Sequence, residues 1–286
     1  MISKSSIKQI RGLERKKNRL EERLFVAEGP KLVGELLATM RPKYVAATEE
    51  WLEANRKELS GIEVDLVSEG ELQRASLLQH PQSVVALFPF PQWEARLADV
   101  AAQELCLALD GVQDPGNLGT IVRIADWFGI RHIFCSPDTA DIFNPKATQA
   151  TMGALARVQV HYIDLIAELS ALHKGGQEGR GGEYSSPTGG GQEGWGGEYS
   201  SPTGGGQEGA PIYGTFLDGT NIYEQQLSHN GIIIMGNEGR GIRKETAALV
   251  SHRLLIPSYP ADRTTVESLN VAIATAIICA EFRRRA

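Results

Sequence analysis

Three polar segments that contain glycine have residue types suited to binding a ligand and assisting a reaction. They run from Asp110 to Arg123, from Gly236 to Gly241, and from Ile256 to Asn270. Each begins at the end of an apolar run that is typical of a buried strand. Ligands of parallel α/β sheets lie beyond the carboxyl ends of the strands. We therefore expect the three segments to meet at one site.

The common nucleotide and metal sites are not supported. The first two segments lack G-x-G-x-x-G, and residues 236–241 lack the Lys-Ser/Thr pair of a P-loop. The histidines are scattered without metal-ligand spacing, so no metal is predicted: His132, His161 and His173. Asp110 and Asp114 are interpreted as turn formers rather than as an acid pair.

The sequence after residue 95 predicts a scaffold of alternating strands and helices for these segments. The predicted strands are 105–109, 132–135, 158–162, 213–216, 231–235 and 253–256. The predicted helices are 118–129, 145–153, 164–173, 244–251 and 268–284. Such alternation is typical of an α/β fold whose mostly parallel sheet is covered on both faces.

Residues 1–95 predict a separate, small α/β domain. Its predicted strands are 44–47, 64–67 and 84–88, and its predicted helices are 30–40, 49–59 and 70–78. Ser68 and Glu71 are predicted to form a capping box for the last helix. The proline-containing stretch 89–96 is predicted to link this domain to a second one, residues 96–286.

A 15-residue repeat interrupts the second domain. The sequence GQEGRGGEYSSPTGG at Gly176 returns at Gly191 with Trp195 in place of Arg180. A composition this rich in glycine and poor in apolar residues cannot bury enough surface to offset the entropy lost on ordering. We interpret residues from about 175 to 209 as a flexible low-complexity insertion, with an RNA-contacting tether as the alternative.

Composition and charge limit the class of protein. The chain has 286 residues, of which 42% are hydrophobic and 22% charged, as in folded globular proteins. The net charge of −6 hides eight basic and three acidic residues between Lys4 and Arg23. Charge alone leaves two interpretations of this basic stretch open, a solvated helical face or a phosphate-binding surface.

The sequence also predicts where the protein resides. Its three cysteines are far apart and give no disulfide framework, which fits a reducing cytoplasm. We find no secretory signal and no run of the roughly 20 apolar residues that a spanning helix needs. The expectation is a soluble, cytoplasmic protein without a membrane partner.

The three polar segments resemble motifs 1, 2 and 3 of the SpoU (TrmH-like) RNA 2′-O-ribose methyltransferases of the SPOUT superfamily. The matching residues are Asn117-x-Gly119-x-x-x-Arg123, Met235-Gly-Asn-Glu-Gly-Arg-Gly241, and Ile256-Pro257 followed by Ser268-Leu269-Asn270. Residues 1–95 resemble the substrate RNA-binding domain at the N-terminus of many members. The resemblance implies a C-terminal SPOUT domain that contains a deep trefoil knot.

The resemblance also implies catalytic roles for motifs 1 and 2. Arg123 would be the base for the ribose hydroxyl, and Asn117 would orient it. Arginine keeps its proton far above neutral pH, so Arg123 would either be activated by the sulfonium of the cofactor or act by position and charge while a phosphate or a water takes the proton. Glu238 would hold Arg123 or the substrate through charge-assisted hydrogen bonds. Asn117 is equally suited to be a helix N-cap.

Motif 3 and the motif 2 glycine are implied to complete the site. Ser268 and Asn270 would shape it and could reach the arginine of a second subunit, although Ser268 also suits the N-cap of the next helix. Three residues would bind S-adenosylmethionine: Gly236 by letting the backbone approach the ligand, and Ile256 and Leu269 by lining the adenine pocket.

The resulting hypothesis is an S-adenosylmethionine-dependent 2′-O-methyltransferase of RNA, with rRNA favoured over tRNA. A homodimer is expected, because the predicted helix 268–284 is apolar on most sides. The alternative from another class is a non-catalytic RNA-binding ribosome-assembly protein of the same fold. A knotted methyltransferase that acts on a base is a third alternative.

Overall fold

The computed structural model describes residues 1–178, 209–260 and 268–284. These ranges contain two sheets, one of four strands and one of six. Most of the predicted repeat insertion lies outside the described residues, so its interpretation stays a prediction. In the part of the chain that is described, no helix combines the length and apolar character needed to cross a bilayer.

The smaller sheet is formed by the first 89 residues. The elements in chain order are α1 (Lys4–Gly12), α2 (Lys16–Glu22), β1 (Leu24–Glu28), α3 (Pro30–Leu37), β2 (Tyr44–Ala47), α4 (Glu49–Ala54), β3 (Glu63–Leu66), α5 (Glu69–Ala75) and β4 (Val84–Pro89). The strand order is β1-β4-β2-β3, with β4 antiparallel to both of its neighbours and β2 parallel to β3.

Sequence patterns predict most of this sheet but not β1. The three predicted strands are present, and Ser68 and Glu71 form the predicted capping box at the start of α5. All five residues of β1 are buried, so its sequence shows none of the alternation that marks a half-exposed strand.

The larger sheet follows and carries the three motif segments. Its elements are α6 (Leu97–Gln103), β5 (Leu105–Asp110), α7 (Pro115–Trp127), β6 (His132–Cys135), α8 (Pro145–Ala150), β7 (Gln159–Tyr162), α9 (Leu165–Glu178), β8 (Ile212–Asn221), β9 (Gly231–Gly236), α10 (Lys244–Ala247), β10 (His252–Leu255) and α11 (Val271–Arg284). The strand order is β10-β8-β9-β5-β6-β7, and every pair is parallel. The predicted α/β class with a parallel sheet is confirmed, while the trefoil knot stays a prediction.

The central strands explain why the sequence forms this sheet. Every residue of β5 and β9 is buried, as expected for strands covered by helices on both faces. Several predicted helices end early, among them α4 at Ala54, α8 at Ala150 and α10 at Ala247. Beyond α8, Met152 and Gly153 adopt left-handed backbone conformations, with φ of 52° and 98°. These conformations end the helix.

The two sheets are joined by buried contacts. Arg19, although part of the basic N-terminal stretch, is buried and places its guanidinium 2.7 Å from the Asp141 carboxylate. The Phe25 and Phe143 ring centroids lie 5.0 Å apart across the same junction. The basic stretch is therefore not a uniform solvated face, because one of its cations holds the two parts of the chain together.

Candidate functional site at the carboxyl edge of the larger sheet

The three motif segments meet at the carboxyl ends of adjacent strands. Asp110, the last residue of β5, is paired in register with Gly236, the last residue of β9. Segment one continues into α7, segment two forms the loop after β9, and segment three leads from β10 to α11. The expected convergence at one edge of the sheet is therefore present.

A chain of hydrogen bonds joins one residue from each segment. The Asn270 side-chain amide donates to Asn117 Oδ1 at 3.0 Å. The Asn117 amide in turn donates to Glu238 Oε1 at 3.0 Å. Because an ionised carboxylate only accepts hydrogen bonds, Glu238 fixes the orientation of Asn117. Motifs 1, 2 and 3 are thus coupled through the half-buried Asn117 and the exposed side chains of Glu238 and Asn270.

The sequence suggested Asn117 and Ser268 as possible helix N-caps, but other residues cap α7 and α11. Asp114 is the N-cap of α7, because its Oδ1 accepts from the Asn117 backbone N–H at 2.8 Å. Asn270 caps α11, and its Oδ1 accepts from the backbone N–H groups of Ala272 at 3.0 Å and Ile273 at 3.3 Å. Neither Asn117 nor Ser268 is an N-cap, so the Asn117 side chain remains available for the bonds to the other two motifs.

Arg123 stands apart from this hydrogen-bonded chain. It is exposed on α7, and it forms no hydrogen bond or ion pair with the residues that the structure describes. Six helical positions place it about 9 Å beyond Asn117 along the axis and about 120° around it. Glu238 therefore bonds to Asn117 and not to Arg123 within this chain. The Arg123 guanidinium is available for a substrate or a second subunit.

The motif glycines are required by the protein's own packing. A Cβ on Gly236 would lie 2.3 Å from the carbonyl carbon of Gly241, because the loop after β9 folds back on itself. The backbone of the same loop therefore requires glycine at this position, and the role of Gly236 in making room for the ligand stays a prediction. In α7, a Cβ on Gly119 would lie 2.4 Å from the carbonyl oxygen of Ala147 in α8. Both glycines fix the shape of the edge from within.

An ion pair that sequence analysis did not predict stabilises the loop after β9. Asp110 is only 1% exposed and accepts from the Arg243 backbone N–H at 2.9 Å and from Arg243 Nε at 2.6 Å. The hydrogen bond to Asp110 raises the pKa of Arg243. The interpretation of Asp110 as a turn former is wrong, because it ends a buried strand. An acidic residue directly after the apolar run 105–109 was the signal available in the sequence.

A second ion pair supports the start of α7. Lys146 Nζ lies 2.9 Å from Asp114 Oδ2. The hydrogen bond from Lys146, followed by that from the Asn117 backbone, holds the pKa of Asp114 below its usual value. Asp114 has extended backbone and caps α7 rather than forming a turn, so the interpretation as a turn former is wrong here too. Its carboxylate stays charged where the helix dipole favours an anion.

The residues predicted to bind the cofactor lie at the same edge. Ile256 directly follows β10 and is partly buried against the apolar core, and Leu269 precedes α11 with 48% of its surface exposed. Ser268 beside it is exposed. Residues 261–267 of this segment lie outside the described residues. Partly exposed apolar side chains next to backbone polar groups suit a flat adenine ring, so the chemistry of this edge fits S-adenosylmethionine.

Comparisons with known proteins agree with this geometry. Residues 104–178 and 205–280 match the model of the SpoU rRNA Methylase family, and residues 4–86 match the MRM3-like substrate binding domain. A Bacillus subtilis relative, the 23S rRNA (guanosine(2553)-2′-O)-methyltransferase RlmP, is 28% identical over 97% of this chain and 95% of its own length.

Solved structures give the same result. A putative RNA methyltransferase of the TrmH family from Porphyromonas gingivalis is 39% identical, with a TM-score of 0.79 and full coverage of both chains. The AdoMet-bound rRNA methyltransferase from Sinorhizobium meliloti is 29% identical, with a TM-score of 0.75 over 99% of this chain and 97% of its own. With its family match covering more than half of its length, this chain belongs to the SpoU rRNA methylase family.

Proposed function

We propose that the protein transfers a methyl group from S-adenosylmethionine to a ribose 2′-hydroxyl of rRNA. The observation that carries the proposal is the hydrogen-bonded chain Asn270–Asn117–Glu238, which couples the three motif segments at the edge where ligands of parallel sheets bind. The names of the relatives in Bacillus subtilis and Sinorhizobium meliloti favour rRNA as the substrate class. A cytoplasmic location, which the sequence predicts, is consistent with an rRNA substrate.

The residues of the chain would act by placement and charge. A ribose hydroxyl is a weak nucleophile, so it must lose its proton and be held near attack distance. When bound, S-adenosylmethionine supplies an electrophilic methyl group on a sulfonium. Arg123, with its guanidinium available, would hold the hydroxyl or its adjacent phosphate in line with that methyl group, and a substrate phosphate or a water would take the proton that the hydroxyl loses. Glu238, fixed through Asn117, has an exposed carboxylate that would accept a substrate hydrogen bond.

We further propose a homodimer that completes the site. On α11, Ile273 is 54% exposed, and on the adjacent α7, Trp127 is 85% exposed. These side chains leave an apolar surface next to Arg123 that a second copy would cover. Ser268 of the partner subunit would then approach Arg123, in agreement with the role predicted for motif 3.

The dimer proposal predicts that Ile273→Asp yields a monomer that is still folded, since Ile273 packs on no core cluster of the described chain. Light scattering after size-exclusion chromatography measures the mass. Methyl transfer should fall together with the dimer. A monomeric variant with full activity would contradict the shared site.

The activity is tested with labelled S-adenosylmethionine and in vitro transcribed rRNA and tRNA. We expect the wild type to methylate rRNA and Arg123→Ala to lose at least about 100-fold in rate, the range typical of removing one positioned donor that stabilises charge in the transition state. Binding of S-adenosylmethionine, measured by calorimetry, should stay unchanged. Arg56→Ala, at an exposed arginine in the turn after α4, is the matched control.

The outcomes separate the alternatives. Alkali-resistant linkages identify ribose methylation and locate the nucleotide, whereas alkali-sensitive labelled RNA would indicate methylation of a base. Transfer to tRNA alone would change the substrate class. Binding of RNA without binding of S-adenosylmethionine would favour a non-catalytic assembly protein and overturn the proposed activity.

A further inference from the structure

A large cleft separates the smaller sheet from the β6–β7 side of the larger sheet. Its volume is about 1250 Å³, and it is lined by α2, by the segment that links β4 to α6, and by β7. None of the eight predicted site residues, all of which the structure describes, lines it. The cleft is therefore a feature separate from the methyl-transfer site.

One wall of the cleft is a supported aromatic surface. Trp93 is half-buried, with its ring centroid 6.3 Å from that of Phe143 and 6.2 Å from that of His161. Phe90 stacks on Phe143 at 4.1 Å. These contacts hold Trp93 in place from the protein side, so its position is fixed before any ligand arrives.

Tyr162 adds a second ring whose polar group is already used. Its hydroxyl donates to the Ala140 carbonyl at 2.5 Å and accepts from the Ile142 backbone N–H at 2.8 Å. The side chain is nevertheless 40% exposed. What Tyr162 offers to a ligand is therefore its ring, which favours stacking over hydrogen bonding.

The charges at the rim favour an anion. Among the residues that the structure describes, Lys16 and Arg23 form no ion pair, and the Arg23 guanidinium lies 5.0 Å from the Phe90 ring centroid. Three of the carboxylates that line the cleft are paired with arginines: Asp99 with Arg96, Glu104 with Arg131, and Asp141 with Arg19. Within the described part of the chain, the charged groups at the rim that form no such pair are therefore Lys16, Arg23 and the exposed carboxylate of Glu94.

We propose that this cleft binds a single-stranded segment of the RNA substrate, with a base stacked on the Trp93 and Tyr162 wall and a phosphate held by Lys16 and Arg23. The inference rests on the proposed function and adds a second contact to it. Aromatic platforms beside cations are the usual means of binding single-stranded RNA. Because stacking accepts any base, the cleft holds RNA without reading its sequence.

One end of the cleft lies on the side of the sheet that carries the methyl-transfer edge. Tyr162, the last residue of β7, lines the cleft two strand spacings, about 10 Å, across the sheet from β5. From there the cleft extends towards the amino ends of β5 and β6, where Glu104 and Arg131 line it. A strand of RNA that lies in the cleft can therefore continue to the methyl-transfer edge of the same subunit.

The test measures the affinity of a fluorescein-labelled, mixed-sequence 12-nucleotide RNA by anisotropy. Trp93→Leu keeps apolar volume against Phe143 and removes the stacking surface, so we expect affinity to fall roughly 5- to 150-fold. Lys16→Gln combined with Arg23→Gln should weaken binding and reduce the slope of log K against log salt by about 0.7, the value for the one phosphate that the two cations hold. Arg15→Gln combined with Lys17→Gln removes the same charge from exposed positions outside the cleft.

Each outcome decides the question. A selective loss in Trp93→Leu and in the cleft pair, with S-adenosylmethionine affinity unchanged, supports the proposal. Wild-type RNA affinity in both variants, or an equal loss in the control pair, overturns the cleft while methyl transfer by the wild type keeps the proposed function. Selective loss of RNA binding in a protein that methylates no RNA supports the cleft and overturns the proposed function. A wild type that neither binds nor methylates RNA overturns both.

Discussion

The carboxyl edge of the larger sheet and the interdomain cleft are held in place by different interactions. At the edge, Asn117 forms directional hydrogen bonds with residues 121 and 153 positions away in the chain. In the cleft, Trp93, Phe90 and Phe143 are held by ring contacts between 4.1 and 6.3 Å. The first arrangement depends on single atoms, and the second depends on volume and area.

This difference teaches where each region is sensitive. A polar network that is partly satisfied loses much of its stability when one partner is removed, because the remaining groups stay desolvated or lose their orientation. An aromatic wall tolerates replacement by another apolar side chain with a smaller effect on folding. The edge should therefore be sensitive even to substitutions that keep the shape of a side chain. The cleft should be sensitive to loss of an aromatic ring such as Trp93 and to protonation of His161.

The largest effect is expected where the edge has a buried charge. Arg243→Ala leaves the buried carboxylate of Asp110 without its guanidinium, which should lower the free energy of unfolding by about 3 kcal/mol. The value lies at the low end for buried pairs because Arg243 is itself partly exposed. Urea denaturation followed by circular dichroism measures the change.

A neighbouring charge gives the control for this prediction. Lys244→Ala removes an exposed cation one residue away and should change stability by less than about 0.5 kcal/mol. Adding Asp110→Asn to Arg243→Ala should recover part of the loss, since a neutral amide is less costly to bury than an unpaired carboxylate. Equal stability of Arg243→Ala and the wild type would show that the loop does not depend on the ion pair.

Sequence patterns predicted the scaffold better than its polar contacts. Buried runs such as Leu105–Leu109 set strand positions through local apolarity, which a single sequence displays. The pairing of Asp110 with Arg243 joins residues 133 positions apart, and no local pattern contains it. The helix caps show where prediction from sequence fails even locally. At the start of α7 and of α11, two possible capping residues lie a few positions apart: Asp114 and Asn117, and Ser268 and Asn270. Only the path of the backbone decides which of the two caps the helix.

A second effect, of about 2 kcal/mol, is expected in the cleft on acidification. Burial, followed by the nearby His132, lowers the pKa of His161 to about 4 from its ordinary value of 6.5. The unfolded chain therefore takes up a proton between these pH values that the folded chain does not. Stability should fall by about 2 kcal/mol as the pH drops from 7 to 5.

His161→Phe removes this titration and keeps a ring against Phe134, whose centroid lies 4.8 Å from that of His161. The measurement is the difference in unfolding free energy between pH 7 and pH 5, compared between wild type and variant. Glu28, whose raised pKa arises from its own burial, acts equally in both proteins. His132, whose Nδ1 lies 3.2 Å from His161 Nε2 and whose pKa is also lowered by burial, changes with the substitution, so the comparison reports on the histidine pair. The same pH dependence in His161→Phe would show that the imidazole is protonated in the folded chain.

The smallest change in stability separates the two roles of Asn270 at the edge. Its Oδ1 caps α11, and its amide donates to Asn117. Asn270→Ala removes both roles and should lower stability by about 1 kcal/mol, the usual effect of losing an N-cap. Asn270→Asp keeps the acceptor and places a negative charge at the positive end of the helix dipole, so its stability should equal or exceed that of the wild type.

The rate of methyl transfer should not follow the stability of these two variants. Both substitutions remove the donor to Asn117, and Asp also brings a charge against Asn117 Oδ1, so both should slow transfer by about 10-fold, the equivalent of one net hydrogen bond. Parallel urea melts and initial rates at saturating S-adenosylmethionine make the comparison. A stable Asn270→Asp protein with reduced activity would establish that Asn270 positions Asn117 and Glu238 for catalysis. A stable Asn270→Asp protein with full activity would reduce its role to that of a helix cap, because the catalytic edge would then tolerate loss of the bond that joins motif 3 to motif 1.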